Sequence, residues 1–176
     1  GLGDVYKRQV KINIKDSILE TNRLVLRPFK RSDLDDFYAY AKVWGVGQMA
    51  GWLPHQSIKQ SQEILEKFIE GEKTFAIVYK NNHKVIGSIG IENLRNIDEE
   101  KLKKLKGREL GFVLSKEYWG LGIMPEAVKK VIDYLFHDCN LDFITCSYFI
   151  DNNQSKRVQE KCGFKFLKKV ILPTQM

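Results

Sequence analysis

Gly120 and Gly122 lie between two apolar stretches in the string Glu109–Glu126, ELGFVLSKEYWGLGIMPE. Leu110, Phe112, Val113 and Leu114 are apolar enough for a buried strand. Pro125 fits the first turn of a helix, where its missing N–H would have had no partner. Val128, Val131, Ile132, Leu135 and Phe136 then recur at helical spacing, with Lys129, Lys130 and Asp133 on the other face. A glycine-bearing loop that enters a helix presents unpaired N–H groups, whose dipoles sum to a partial positive charge that suits phosphate. Trp119–Met124 therefore reads as an anion site for a phosphorylated cofactor, or as a tight turn whose glycines serve only the connection. The residues leave both readings open. A G-x-G-x-x-G dinucleotide loop would need glycine where Pro125 stands, and no G-x-x-x-x-G-K-[ST] string occurs.

The loop resembles the acyl-CoA diphosphate loop of the GNAT N-acetyltransferase superfamily, patterned [Q/R]-x-x-G-x-[G/A]. The wider string EYWGLGIMPEA is similar to the RimJ/RimL branch, the ribosomal-protein N-terminal acetyltransferases and their relatives. ETNRLVLRPF (Glu20–Phe29), GWLPH (Gly51–His55) and NNQSKRVQEKCGF (Asn152–Phe164) resemble further segments of that branch in the same order. The resemblance runs from about Ser17 to Val170. It implies an α+β fold with a mixed, mostly antiparallel central sheet, flanking helices and a βαβ cofactor-binding unit. It implies acetyl-CoA as cofactor, held by Phe112, Val113, Leu114, Trp119, Gly120, Leu121, Gly122, Ile123, Met124, Asn152 and Ser155. The chain departs from the pattern at Glu117, which fills the [Q/R] slot, and at Gln159, where many relatives carry a tyrosine seven residues after the asparagine that Asn152 resembles. Relatives also continue into a last strand, whereas this chain stops at Pro173–Met176, so that strand is expected to be missing.

Acetyl transfer to an amine needs a neutral amine, a polarised carbonyl and a proton for the leaving thiolate. An α-amine, with a pKa of about 8 against about 10.4 for lysine, needs less help from a base. Glu109 is the candidate base, acting directly or through water; the alternative is a solvated strand-end glutamate. Ser155 is the substitute acid that the RimJ/RimL-like pattern suggests, or a positioning group. Backbone N–H groups near Phe112–Leu114 would stabilise the developing oxyanion. In the Val43–His55 loop, Trp44, Met49, Trp52 and His55 are candidates for an acceptor wall or for core packing. The preferred reading is an acetyl-CoA-dependent N-acetyltransferase acting on a protein N-terminal α-amine, a ribosomal protein among the acceptors considered. A small-molecule amine (polyamine or amino sugar) and a non-catalytic CoA- or ribosome-binding module are the alternatives. The loop is nearly uncharged, which disfavours a polycation.

The elements that must position these residues follow from patterning. One domain over 17–176 is expected from 176 residues, 43% hydrophobic and 29% charged. Residues 1–16 are expected to be non-native or flexible, because GLGDVYKRQ resembles a translated adapter sequence. No apolar run approaches the ~20 residues of a membrane helix, and no stretch reads as a signal peptide. The odd number of cysteines (Cys139, Cys146, Cys162) lacks C-x-x-C spacing, which favours a cytoplasmic location and no metal. The net charge of +7 concentrates at Lys101–Arg108, Lys156–Arg157 and Lys165–Lys169. These runs read as solvated faces, or as attraction for CoA or ribosomal RNA. Neither DNA nor a membrane is an expected partner, and the chain is expected to be a monomer or homodimer. The expected elements are a strand at Leu19–Arg27 closed by Pro28, a helix capped by Ser32 and Asp35, and a helix capped by Ser57 and ended by Gly71. A hairpin of Thr74–Lys80 and Val85–Ile91 follows, with close approach or a bulge at Gly87 and Gly90. After the central strand and its helix come a strand at Phe143–Phe149, a helix opened by Asn152 or Asn153 and ended by Gly163, and a strand at Phe164–Ile171.

Overall fold

The computed structural model describes residues 11–169. Its sheet places six strands side by side in chain order: β1 (Leu19–Glu20), β2 (Leu24–Pro28), β3 (Thr74–Tyr79), β4 (Lys84–Glu92), β5 (Gly107–Leu114) and β6 (Phe143–Cys146). Neighbours are antiparallel except β5 and β6, which are parallel. Helices α1 (Leu34–Ala41) and α2 (Ile58–Gly71) join β2 to β3, and the short α3 (Glu100–Lys103) lies between β4 and β5. Helix α4 (Ile123–His137) makes the crossover from β5 to β6, and α5 (Asn153–Lys161) follows β6. This is the mixed α+β sheet with a late βαβ unit that the sequence implied. Among the described residues no helix is long and apolar enough to cross a membrane.

Strand alternation splits the core in two. Leu24, Leu26, Phe75, Ile77, Ile89 and Leu110 turn to one face and pack on Ala127, Val128, Val131 and Leu135 of α4. Ala76, Val78 and Val85 turn to the other and pack on Phe37, Tyr40 and Ala41 of α1 and Leu65 of α2. In the β3–β4 pairing Ile77 faces Gly87 and Val78 faces Val85, so Ile86 is the extra residue of a bulge. A Cβ on Gly87 would stand 2.4 Å from the Val113 carbonyl oxygen, so the glycine permits close backbone approach.

Local expectations shift where side chains redirect the backbone. The single strand expected at Leu19–Arg27 is a hairpin: Thr21 N–H donates to the Leu24 carbonyl (2.9 Å), and Leu24 N–H donates to Thr21 Oγ1 (3.0 Å). Ser32 and Asp35 do not cap α1. The carboxylate of Asp33 accepts from Lys30 N–H (2.7 Å) and from the Arg27 guanidinium (2.8 Å at each oxygen), and a 3-10 turn, Arg31–Asp33, precedes the helix. Ser57 does cap α2, its Oγ accepting from Gln60 N–H at 3.2 Å. The left-handed residue after α2 is Glu72 (φ 51), one later than the expected Gly71. Asn152 caps α5 through Ser155 N–H (3.0 Å), and Gly163 (φ +88) follows its end. Strand β6 stops at Cys146, short of Phe149, and residues 164–169 form no strand. The rest of that expected strand, the Gly1–Gln9 segment and the Pro173–Met176 end lie outside the described residues. Within 11–16, expected to be flexible, Ile14 is fully buried in the α4-side core and its N–H donates to the Glu72 carbonyl (2.9 Å).

His55, a candidate for the acceptor wall, is buried in the α1–α2 core. Its N–H donates to the Ala41 carbonyl (3.0 Å), its Nδ1 lies 2.7 Å from Ser61 Oγ, and its ring meets Phe37 edge-on at 5.5 Å. Burial lowers its pKa below the ordinary 6.5. The unfolded chain therefore binds this proton first as pH falls, so the stability is present above about pH 6.5 and is lost below it. Melting temperature is expected to drop from about pH 7.5 to about pH 5.5, with a shallower slope in His55→Gln. Equal slopes in the two proteins would remove His55 as a source of that dependence.

Candidate active site

β5 and β6 pair over Gly107–Leu110 and Phe143–Cys146, after which β5 runs on to Leu114 paired with β4 and without β6. Backbone groups along a strand alternate between its two sides. Ser115 N–H donates to the Ile86 carbonyl on β4 (2.7 Å), so Val113 and Gly111 also turn theirs towards β4. Phe112 and Leu114 therefore turn their N–H and C=O groups into the gap. Leu110 behaves alike, with its carbonyl 3.4 Å from Cys146 Sγ. The Leu114 carbonyl is taken by the Trp119 indole N–H at 2.8 Å. Among the described residues, what remains facing the gap is the Phe112 N–H and C=O and the Leu114 N–H, groups that a ligand must satisfy if it displaces water.

The gap opens into a cleft of about 430 Å³ counted to its mouth. Phe112, Val113 and Leu114 supply one wall, Trp119 and Met124 a second, and Ser155 of α5 with its cap Asn152 a third. These are seven of the residues the sequence pointed to as cofactor contacts. Val46, Gln154 and Val158 also line it and were missed; Val46 had no signal beyond its place in a Gly-rich loop. Gly120 and Leu121 are exposed beside it, and Gly122 immediately precedes α4. Ile123 is buried in the core instead. Gly120 (φ +78) and Gly122 (φ +75) take left-handed conformations that most side chains would strain.

A network that the sequence reading missed fixes this loop. The Arg23 guanidinium donates to the Leu121 carbonyl (2.9 Å) and to Glu126 Oε1 (2.9 Å). Thr21 Oγ1–H (2.6 Å) and Arg23 N–H (3.1 Å) both donate to Glu126 Oε2. Burial alone would raise the Glu126 carboxyl, but these donors bring it below its ordinary value. In a trans peptide C=O and N–H point oppositely. Holding the Leu121 carbonyl on the Arg23 side therefore turns the Gly122 N–H away from Arg23. The signal was available: Arg23 and Glu126 sit inside two of the quoted motifs.

Glu109 is not a solvated strand-end glutamate; it is 4% exposed. Arg95 engages its Oε2 from Nε (2.9 Å) and Nη2 (2.6 Å), and among the described residues its Oε1 accepts from Ser147 Oγ at 3.3 Å. Ser155 Oγ accepts from Gln159 Nε2 (3.2 Å), and the same amide nitrogen donates to the Ser147 carbonyl (3.0 Å). Because Ser155 Oγ accepts there, its own proton is available in another direction. The cysteines offer no activated thiolate; burial pushes the Cys146 thiol up to about 12, with the Glu109 charge adding to it. Of the loop candidates, Trp44 is 70% exposed, whereas Trp52 lies against Gly47 and on the His55 ring at 5.1 Å. Met49 belongs to the 3-10 turn Gln48–Ala50, and the expectation for its side chain falls outside what is described. The loop reaches the segment after β6, since a Cβ on Gly51 would stand 3.1 Å from the Phe149 ring.

Arg23→Met is expected to destabilise the fold by about 1–2 kcal/mol in urea unfolding, the scale of a lost charged hydrogen bond. Glu126→Gln in that background is expected to add much less than it does alone, since both act through one network. Full additivity would separate the two residues.

The family model described as an acetyltransferase (GNAT) domain matches residues 23–165. The "uncharacterized N-acetyltransferase p20" of Bacillus licheniformis is 30% identical over 153 residues, covering 84% of this chain and 82% of that protein. A GNAT-family acetyltransferase structure from Bacillus anthracis superposes with a TM-score of 0.72 at 22% identity, covering 84% and 83% of the two chains. The ribosomal-protein-S5-alanine acetyltransferase structure from Vibrio fischeri is 27% identical, with a TM-score of 0.64 over 85% of this chain and 84% of its own. With its diverging parallel strands, glycine loop and helix N-terminus at one cleft, this chain belongs to the GNAT family of N-acetyltransferases.

Proposed function

We propose that the protein transfers an acetyl group from acetyl-CoA to a primary amine, with a protein N-terminal α-amine as the preferred acceptor. The observation that carries this reading is the unpaired edge of β5, where Phe112 and Leu114 direct backbone groups into the cleft. An extended chain bearing amides fits such an edge as an added strand. The helix N-terminus beside it, with the Gly122 N–H turned away from Arg23, suits a diphosphate. The residues present thus fit acetyl-CoA, which supplies the acyl group as a thioester. The similarity to an S5-alanine acetyltransferase supports a ribosomal protein as one acceptor to try.

In this mechanism Glu109 takes a proton from the incoming ammonium through Oε1 and passes it to solvent. The neutral amine forms the new C–N bond as the C–S bond breaks. The Phe112 N–H donates to the oxygen on which charge develops. Ser155, its Oγ held by Gln159, donates its hydroxyl proton to the departing sulfur and recovers one from the nitrogen, which must lose a second proton to become an amide. Gln159 does not deliver a proton, because an amide N–H is not acidic enough.

Acetyl-CoA at about 100 times its dissociation constant is expected to add about 2.7 kcal/mol of stability, with NAD and ATP as inactive controls. Glu109→Gln and Ser155→Ala are each expected to lower kcat on the order of 100-fold against a panel of free-N-terminus peptides, with the acetyl-CoA shift intact in Glu109→Gln. Unchanged turnover in both variants would discard these roles. A shift with NAD instead would discard the cofactor. Binding of acetyl-CoA without turnover of any amine would favour a non-catalytic module.

A further inference from the structure

On the α1–α2 face of the sheet, β4 and β5 set Ser88 opposite Val113, Gly90 opposite Gly111 and Glu92 opposite Glu109. Residues directly opposed in an antiparallel pair share a face and lie within side-chain reach. Glycine inside a strand weakens it, so each one calls for a reason. The reason at Gly90 is visible, since a Cβ there would stand 2.7 Å from Oε1 of Glu92, whose carboxylate folds back over it. Gly111 has no such neighbour. A Cβ on Gly111 would meet nothing within 4 Å, and its φ lies outside the left-handed region. The vacant space sits one residue from Phe112, whose N–H faces the cleft.

Among the described residues, the carboxylates of Glu92 and Glu109, which follow Gly90 and precede Gly111 on the same face, are each engaged by a cation at one oxygen. Lys73 Nζ bonds Oε2 of Glu92 at 2.5 Å, and Arg95 bonds Oε2 of Glu109. Oε1 of Glu92 lies over Gly90, and Oε1 of Glu109 accepts from the Ser147 hydroxyl, its one partner among the described residues. Like charges directly opposed on a sheet repel, and Lys73 and Arg95 offset that repulsion through the Oε2 atoms, with no hydrogen bond from a cation to either Oε1 among the described residues.

We infer that the acceptor nitrogen docks as an ammonium ion over Gly111, between Oε1 of Glu92 and Oε1 of Glu109, and that Glu92 sets the preference for cationic acceptors. This rests on the acyl-transfer reading above. An ammonium group has three donors for this arrangement. The Val43–His55 loop carries no acid or lysine, so it adds no further charge. The site therefore suits one ammonium on an otherwise uncharged extended chain, as at a peptide N-terminus, rather than a polyamine.

The test uses Glu92→Gln and Gly111→Ala in the full chain, with thiol release from acetyl-CoA read against free-N-terminus peptides and spermidine. Both variants are expected to raise KM for the peptide amine roughly 10-fold, with the acetyl-CoA shift and the unfolding midpoint unchanged. The alanine methyl enters open space, so Gly111→Ala reports obstruction of the acceptor rather than damage to the fold. Unchanged KM in both variants, with the unaltered protein active, overturns this inference alone. A rise in Gly111→Ala only removes Glu92 from it, and faster turnover of spermidine than of peptides overturns the single-ammonium preference. Acetyl-CoA binding with no amine turned over by the unaltered protein overturns the acyl-transfer reading and this inference with it.

Discussion

The separation of β6 from β5 beyond Leu110 is the constraint on which the site depends. Parallel strands joined by a helix are ordinarily buried and fully paired. Here β5 leaves a short edge open at the cleft, facing the walls that Trp119, Met124 and Ser155 supply. That edge remains in place because its other side is paired with β4 from Glu109 to Leu114. Its far end is fixed by the Trp119 indole on the Leu114 carbonyl. The same strand supplies the buried Glu109, so backbone donors and carboxylate keep a constant spacing.

Long-range polar contacts hold the walls around that edge. Arg23 and Thr21, on the β1–β2 hairpin, reach Glu126 and Leu121 at the entry to α4. Gln159 ties α5 to the segment after β6 through Ser147, while Asn152 caps the same helix. The Arg23, Thr21 and Gln159 contacts join separate elements, while the Asn152 cap is local to the start of α5. Geometry at the cleft thus depends on residues remote in the chain from the glycine loop.

Much of this was legible in the chain. The Gly120–Gly122 loop, the α4 periodicity and the Ser57 and Asn152 caps depend on residues close in sequence, where spacing carries the information. The cofactor-side candidates Phe112, Trp119, Met124, Asn152 and Ser155 do gather at one cleft. Long-range partners were not legible. Nothing local says that Arg95 will meet Glu109, or that Asp33 will be taken by Arg27 and so displace the Ser32 cap. His55 and Trp52 stood in a loop rich in glycine, but Phe37, Ser61 and Gly47 draw them inward. The hairpin in Leu19–Arg27 was hidden because alternation continues across it, and only the Thr21–Leu24 hydrogen bonds break the run.

The bulge at Ile86 has a further consequence for how the sheet can change. Val85 packs on the α1–α2 side, Ile86 turns to the α4 side, and the alternation that follows delivers Ser88, Gly90 and Glu92 back to the α1–α2 side. The extra residue sets the phase of everything downstream in β4. The turn before it can lengthen or shorten as surface loops do. Removing one residue beyond the bulge, between Ser88 and Gly90, would exchange the two faces downstream and carry Glu92 into the apolar layer beneath α4, whereas removing Ile86 itself would restore straight alternation with every partner kept. In this strand a one-codon deletion beyond the bulge is a change of sidedness, while a longer insertion in the turn before it is only a change of outline.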